Sequence, residues 1–356
     1  MSIEKLLVAN RGEIAIRILR AAADLGIPTV AVYAGDEAAS LHLSKADEAV
    51  ALPGRGVPAY LDGAAVLAIA QEKNCDAIHP GYGFLSENAD FANACGQAGV
   101  AFVGPGAETL DMFGDKAAAR DLAEKNGVPV LPGSQGATDL GAAEAFFDIH
   151  GPTMIKAIGG GGGRGMRAIL DKRDLAAALE LCQAEALQAF GNGDVFVERL
   201  LEKPRHVEIQ IIGDGSGAIC HLGERECSIQ RRHQKLVEMA PAPGLASDLR
   251  DKLTEAAVTL AGAVDYRNLG TFEFLLAGDD FFFIEANPRL QVEHTVTEEV
   301  WGVDLVQTQL HIAGGASLAE LGLTQVEAGA PRGQAMQVRI NMETIAADGG
   351  VRPTGG

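Results

Sequence analysis

Apolar and polar positions along the chain fall into short blocks whose period switches between that of a strand and that of a helix. Residues 5–9 (KLLVA) form an apolar run of the kind buried on both faces of a sheet. After Asn10-Arg11-Gly12, the residues Ile14, Ile18, Leu19 and Ala22 recur at helical spacing until Gly26 and Pro28 stop it. TVAVY at 29–33 reads as the next strand. The alternation continues through a helix at 62–73, the strand DAIHP, a helix at 87–97 and the strand VAFVG. Strands and helices in turn predict a parallel sheet, and so an α/β first lobe. Asp115 is placed to cap a helix running through Lys125, with Gly127 as its left-handed stop and Pro129 beyond; there the first lobe hands over to the second.

From about 131 to 203 the pattern is strand (TMIKAI), glycine loop, strand (MRAIL), helix (LAAALELCQAEAL) and strand (VFVERLL), compact enough for a small separate lobe. The remainder mixes antiparallel strands with helices, an α+β pattern. It includes HVEIQII, GAICHLG, the hairpin TFEFLLAGDDFFFIEAN and the helix VDLVQTQLHIA. The sequence stops on a turn at Pro353-Thr354-Gly355-Gly356, so the fold is expected to continue in the natural protein.

With 356 residues, 47% of them hydrophobic, the chain can build two or three cores. Its 29 basic and 48 acidic residues, net −19, exclude the basic footprint that nucleic acid or an anionic membrane needs. An anionic substrate must therefore meet a local basic cluster. Cys75, Cys95, Cys182, Cys220 and Cys227 are odd in number and form no C-x-x-C pair, which points away from disulfides and zinc and toward a reducing cytosol. No signal pattern opens the chain and no apolar run approaches the ~20 residues of a membrane span, so a cytoplasmic protein is expected.

Gly159 to Gly163 are consecutive glycines, followed by Arg164 and Gly165 and preceded by Lys156. Without Cβ atoms such a loop brings backbone N–H groups close to phosphate oxygens and can hinge as a lid. Residues 160–165 satisfy G-x-G-x-x-G, but a dinucleotide loop opens a helix and MRAIL reads as a strand, so that match is accidental. Neither a P-loop nor kinase motifs occur. ERECSIQRRHQK at 224–235 gathers Arg231, Arg232, His233 and Lys235, which suit bicarbonate or developing phosphate charge. Lys116 sits against the positive end of its helix dipole, a conflict that a bound phosphate removes.

In the hairpin, a three-residue turn at Gly278, Asp279 and Asp280 would set Glu273 opposite Glu285, with Asn287 on the same face as Glu285. Facing carboxylates with an amide suit Mg²⁺ or Mn²⁺ carrying nucleotide phosphates. If NPRLQVEH stays extended, Arg289, Gln291 and Glu293 alternate on that side, Arg289 as an anion clamp and Glu293 as a base, while His294 points away as a structural residue. His206 and His221 lack ligand-like spacing.

KLLVANRGEIAIRI, HPGYGFLSEN, GDK, IKAIGGGGGRGM, RHVEIQ, ERECSIQRRHQK, GTFEFL and IEANPRLQVEHTVTE resemble, in order and over nearly the whole chain, the biotin carboxylase family. The resemblance implies an ATP-grasp fold in three parts. These are a Rossmann-like N-terminal lobe (1–114), an ATP-grasp domain (115–316) with a glycine-loop lid at about 131–203 and a mixed-sheet catalytic lobe, and the start of a C-terminal domain (317–356). It implies ATP, Mg²⁺ or Mn²⁺, bicarbonate, and biotin carried in trans on a carrier domain that also serves a carboxyltransferase, in a full-length homodimer.

By the same resemblance, Lys116, Lys156 and the glycines Gly161, Gly162 and Gly163 contact ATP phosphates, Glu198 and Leu201 the adenine, and His206 and Gln230 the ribose side, which revises the bland reading of His206. Glu273, Glu285 and Asn287 hold metals. Arg289, Gln291 and Val292 bind bicarbonate, Glu293 deprotonates it, and His233, Gln234 and Lys235 line the pocket. Arg339 stabilises the enolate-like oxygen of biotin, and Tyr82 belongs to the same substrate end. Position 199 is Arg where the family commonly has Lys, and RINMET at 339–344 replaces the commoner RINAED. Ala335-Met336-Gln337 lacks the lysine of a biotin-attachment motif. Another ATP-grasp ligase of the carbamoyl-phosphate or purine-pathway type would share the phosphate and metal residues. A silent assembly module is the other alternative.

Overall fold

The computed structural model describes residues 3–134, 136–158, 165–231, 233–347 and 350–354. Its first layer is a parallel sheet of β1 (Leu6–Val8), β2 (Thr29–Tyr33), β3 (Glu48–Ala51), β4 (Ala77–His79) and β5 (Ala101–Phe102), in the order β3-β2-β1-β4-β5. β1 is central and wholly buried, as its unbroken apolar run requires. The helix Gly12–Asp24 buries Ile14, Ile18, Leu19 and Ala22 against this sheet. Strand order reverses between β1 and β4, which opens a crevice beyond their C-terminal ends. Buried Asn10 closes the base of that crevice by donating from Nδ2 to the carbonyls of Pro80 at 2.7 Å and Tyr82 at 2.8 Å.

Asp115 caps the helix Lys116–Lys125 by accepting from the N–H groups of Ala117 and Ala118. A second sheet follows, with β6 (Thr153–Ala157), β7 (Met166–Ile169) and β8 (Val195–Arg199) antiparallel in the order β7-β6-β8. Ile155, Val195 and Val197 pack under the helices Leu140–His150 and Leu175–Phe190. Period two therefore turns Met154, Lys156, Phe196 and Glu198 to the opposite face. The first of these helices escapes sequence reading, because LGAAEAFFDIH spreads its apolar residues around the helix.

The third sheet has six strands: β9 (Arg205–Asp214), β10 (Ile219–Arg231), β11 (Gln234–Ala240), β12 (Arg267–Ala277), β13 (Asp280–Asn287) and β14 (Ala335–Val338). They pair antiparallel in the order β13-β12-β9-β10-β11-β14; the parallel element is an isolated bridge between Val130 and Phe283. Val207, Ile209, Ile211, Phe272 and Phe274 pack against the helix Ser247–Gly262. The other face carries His206, Glu208, Gln210, Thr271 and Glu273. A short hairpin of β15 (Glu343–Ile345) and β16 (Val351–Pro353) ends the described chain. No helix among the described residues is long and apolar enough to cross a membrane.

Two local expectations are corrected. The β12–β13 hairpin turns through two residues, with Ala277 paired to Asp280 and Gly278 at φ 64, and not through three. Ile284 then inserts as an extra residue between the pairs Phe274–Phe283 and Glu273–Glu285, so a bulge restores the register that puts the two glutamates opposite each other. The chain beyond Asn287 does not stay extended: it bends at Val292 and Glu293, and Glu293 occupies the N-cap position of the helix His294–Trp301.

Candidate active site

A cavity of about 790 Å³ lies between the polar faces of the second and third sheets. Lys116, Lys156, Glu198, Leu201, His206, Gln230, His233, Gln234 and Lys235 line it, with Glu273, Glu285, Asn287, Arg289, Gln291, Val292, Glu293 and Arg339. Met154, Phe196, Leu131, Leu275 and Ile284 add an apolar wall, suited to a flat aromatic base. Tyr82 is not among the lining residues; its hydroxyl donates to the carboxylate of Glu13. Gly161, Gly162, Gly163 and Arg232 lie outside the described residues.

In the cavity Lys235 Nζ reaches three carboxylates, Glu208 at 2.5 Å, Glu293 at 2.8 Å and Glu273 at 2.9 Å. Beneath them Arg225 is wholly buried, and its guanidinium donates to Glu208 at 2.5 Å, Gln210 at 2.8 Å, Gln291 and Thr297 at 2.9 Å and Thr271 at 3.1 Å. Gln291 and Asn287 both donate to Glu273 Oε1, at 2.9 and 2.8 Å. His206 Nε2 meets Glu273 Oε2 at 2.6 Å, and Gln230 approaches His206 Nδ1 at 2.8 Å. Arg289 is clamped between Glu87, at 2.9 Å, and the Asn287 amide oxygen, at 3.0 Å. Arg339 bridges Glu238 at 2.6 Å and Glu293 at 2.8 Å.

These contacts set the ionisation of the cluster. Burial alone would push the Glu293 carboxyl up, but Lys235, Arg225 and Arg339 outweigh it and hold the group down to about 2. Glu273 is likewise buried, yet Lys235 and His206 keep it well below the carboxylate range. Burial opposes the Lys235 charge, but the surrounding glutamates raise it well above an ordinary lysine, and Glu273 raises His206 in the same way.

Other contacts along the cavity wall are simpler pairs. Lys116 Nζ lies 3.4 Å from Glu285, and Lys156 pairs with Glu198, which Arg120 approaches at 3.7 Å. Glu273, Glu285 and Asn287 line the cavity together and offer oxygen ligands, the Asn287 oxygen being held by Arg289, and cationic side chains already sit on both carboxylates. The set fits a hard divalent cation such as Mg²⁺ or Mn²⁺. Reading the sequence missed Glu208, Arg225 and Glu238. The alternation in RHVEIQ does place His206, Glu208 and Gln210 on one face, but nothing local marks that face as a site.

A parallel crevice lobe, a small sheet-and-helix cover, and an antiparallel sheet with lysines and carboxylates around one cavity make up an ATP-grasp fold. The profile described as "Biotin carboxylase, N-terminal domain" matches residues 2–110, and "Carbamoyl-phosphate synthase L chain, ATP binding domain" matches residues 115–321. Pyruvate carboxylase of Bacillus subtilis is 55% identical over 322 residues, 89% of this chain and 28% of that protein. The biotin carboxylase domain of Hydrogenobacter thermophilus 2-oxoglutarate carboxylase, solved as a dimer with MgADP, ADP and bicarbonate, superposes with a TM-score of 0.93 at 42% identity. That match covers 96% of this chain and 76% of the other. The biotin carboxylase–β,γ-ATP complex from Campylobacter jejuni gives 0.92 at 40% identity, over 97% and 77%. The chain belongs to the biotin carboxylase family. It spans 28 to 30% of the length of the curated pyruvate carboxylases it matches.

Proposed function

We propose that the chain carboxylates biotin with bicarbonate and ATP, releasing ADP and phosphate. The observation that carries this reading is the meeting of Lys235, Arg289, Gln291, Glu293 and Arg339 in one cavity that Lys116 and Lys156 also line. An anion clamp beside phosphate-binding lysines is what joining bicarbonate to a γ-phosphoryl group requires.

Lys116, Lys156 and the loop glycines Gly161, Gly162 and Gly163 hold the ATP phosphates. Glu198 and Leu201 face the adenine, and His206, Gln230 and His233 the rest of the nucleotide. Glu273, Glu285 and Asn287 would hold the metal, which supplies charge neutralisation when bound. Arg289, Gln291 and Val292 orient bicarbonate. Without ligand both oxygens of Glu293 are engaged by Lys235 and Arg339, so it is a weak base. An anion that draws Lys235 toward itself loosens that hold and raises the basicity of Glu293 as bicarbonate arrives. The bicarbonate oxygen then attacks the γ-phosphorus, ADP leaves, and carboxyphosphate breaks down to CO₂ and phosphate. The phosphate takes the ureido proton of biotin, Arg339 stabilises the enolate-like oxygen that results, and the ureido nitrogen attacks CO₂ to give carboxybiotin.

The natural setting we propose is a multi-domain carboxylase whose carrier domain brings biotin and whose carboxyltransferase uses the product, with pairing of these domains as a homodimer. Residues 1–114, 115–316 and 317–356 act as its N-terminal lobe, its ATP-grasp domain with a lid at 131–203, and the start of its C-terminal domain. ADP release measured in the full-length protein should require bicarbonate and Mg²⁺ and rise with free biotin. Phosphate transfer to an amine or amino acid without biotin would overturn the reading.

A further inference from the structure

Glu238 lies on β11, next to the site but outside the cavity lining, and it is completely buried. Its register partner on β14 is Gln337, and Arg339 follows two positions later, with its backbone N–H bonded to the Leu236 carbonyl at 2.9 Å. Arg339 Nε donates to Glu238 Oε1 at 2.6 Å, and Nη2 reaches the same oxygen at 2.6 Å while also donating to Glu293 Oε2 at 2.8 Å. Glu238 Oε2 is buried and has no hydrogen-bond partner among the described residues. A buried carboxylate oxygen without a donor is rare, because leaving it unmet is costly.

One guanidinium thus faces two carboxylates of different kinds. Glu293 takes part in the chemistry and must let Arg339 go; Glu238 has no access to substrate. We propose that Glu238 is the positioning residue for Arg339: its spare oxygen accepts Nη2 when Glu293 releases it. The single-oxygen contact becomes a two-oxygen fork, and the remaining guanidinium edge stays aimed at the acceptor. The same handover frees Glu293 from one of its two cations. This inference rests on the assignment of Arg339 to biotin.

The test is a double-mutant cycle in the full-length protein with Glu238→Gln, Arg339→Ala and both, following ADP and carboxybiotin separately. Glu238→Gln keeps the shape and removes the charge. It should raise the KM for free biotin and lower carboxybiotin formed per ADP by about tenfold, in the way that loss of an outer-shell partner disables the group it orients. In the Arg339→Ala background the same change should add nothing. If the Gln variant does not fold, Glu238→Asp, which withdraws both oxygens by one methylene, completes the cycle with the same expected pattern. An unchanged ratio, or an equal loss with and without Arg339, would overturn the proposal. Failure of Arg339→Ala alone to separate the two activities would overturn the reading of Arg339 and this inference with it.

Discussion

Two groups of charges along the cavity are held in different ways. In one the contacts are pairs between side chains on different elements: Lys116 of a helix with Glu285 of β13, and Lys156 of β6 with Glu198 of β8. In the other Lys235 ties three carboxylates together, and Arg225 lies beneath them without solvent contact. Pairs of this kind can exchange partners one at a time when phosphates arrive. An interlocked buried cluster can exchange only if an incoming anion compensates each charge that is uncovered, because an unpaired buried charge is strongly unfavourable. The Lys235 cluster is therefore preorganised, while the paired group can rearrange one contact at a time.

The comparison predicts that damage to the Lys235 cluster is the more severe. Glu293→Gln removes the base, and both bicarbonate-dependent ADP release and carboxybiotin formation should fall together by roughly 10²- to 10⁴-fold. A loss confined to one of the two activities would place Glu293 outside the shared step. Among the paired residues Glu285→Gln should lower turnover by roughly 10²-fold while calorimetric MgADP affinity changes by less than about tenfold, since neutralisation matters most as phosphate charge develops. Unchanged turnover would make Glu285 a solvated strand residue.

Acid should sharpen the contrast through stability. Glu293 is held at about 2, against an ordinary 4.5, and a carboxylate so depressed stabilises the fold above its unfolded pKa and loses that contribution as pH falls toward 2. At 1.36 kcal/mol per pKa unit the contribution is on the order of 3 kcal/mol. The stability difference between the parent and Glu293→Gln, from denaturant titrations, should therefore hold steady above about pH 5 and shrink below it, toward pH 2. A difference independent of pH would show that the network does not depend on that charge. The smallest effect belongs to Arg199→Lys, at the end of β8. If the adenine contact there is made by the backbone, the KM for ATP should stay within about twofold, as for other substitutions away from buried networks.

Much of this molecule was legible along the chain. The βαβ alternation determined the parallel lobe, because a run as short and apolar as KLLVA must be buried on both faces, and Asp115 with Gly127 marked the ends of a helix by capping chemistry that is local. The motifs around Lys235, Glu285 and Arg289 carried the resemblance to the family, and with it most of the cavity lining; alternation along single strands accounted for Glu285 and Asn287. Tertiary structure alone decided the rest. The Ile284 bulge, which rescues the Glu273–Glu285 register after a two-residue turn, depends on the packing of a whole sheet. The partners of Lys235 come from β9, β12 and the bend before His294, and those of Arg225 from β9, β12, Gln291 and the helix His294–Trp301. Hydrogen bonds between residues as far apart as Lys235 and Glu293, or Arg339 and Glu238, leave no periodic trace in a sequence, because strand order and not chain order brings them together.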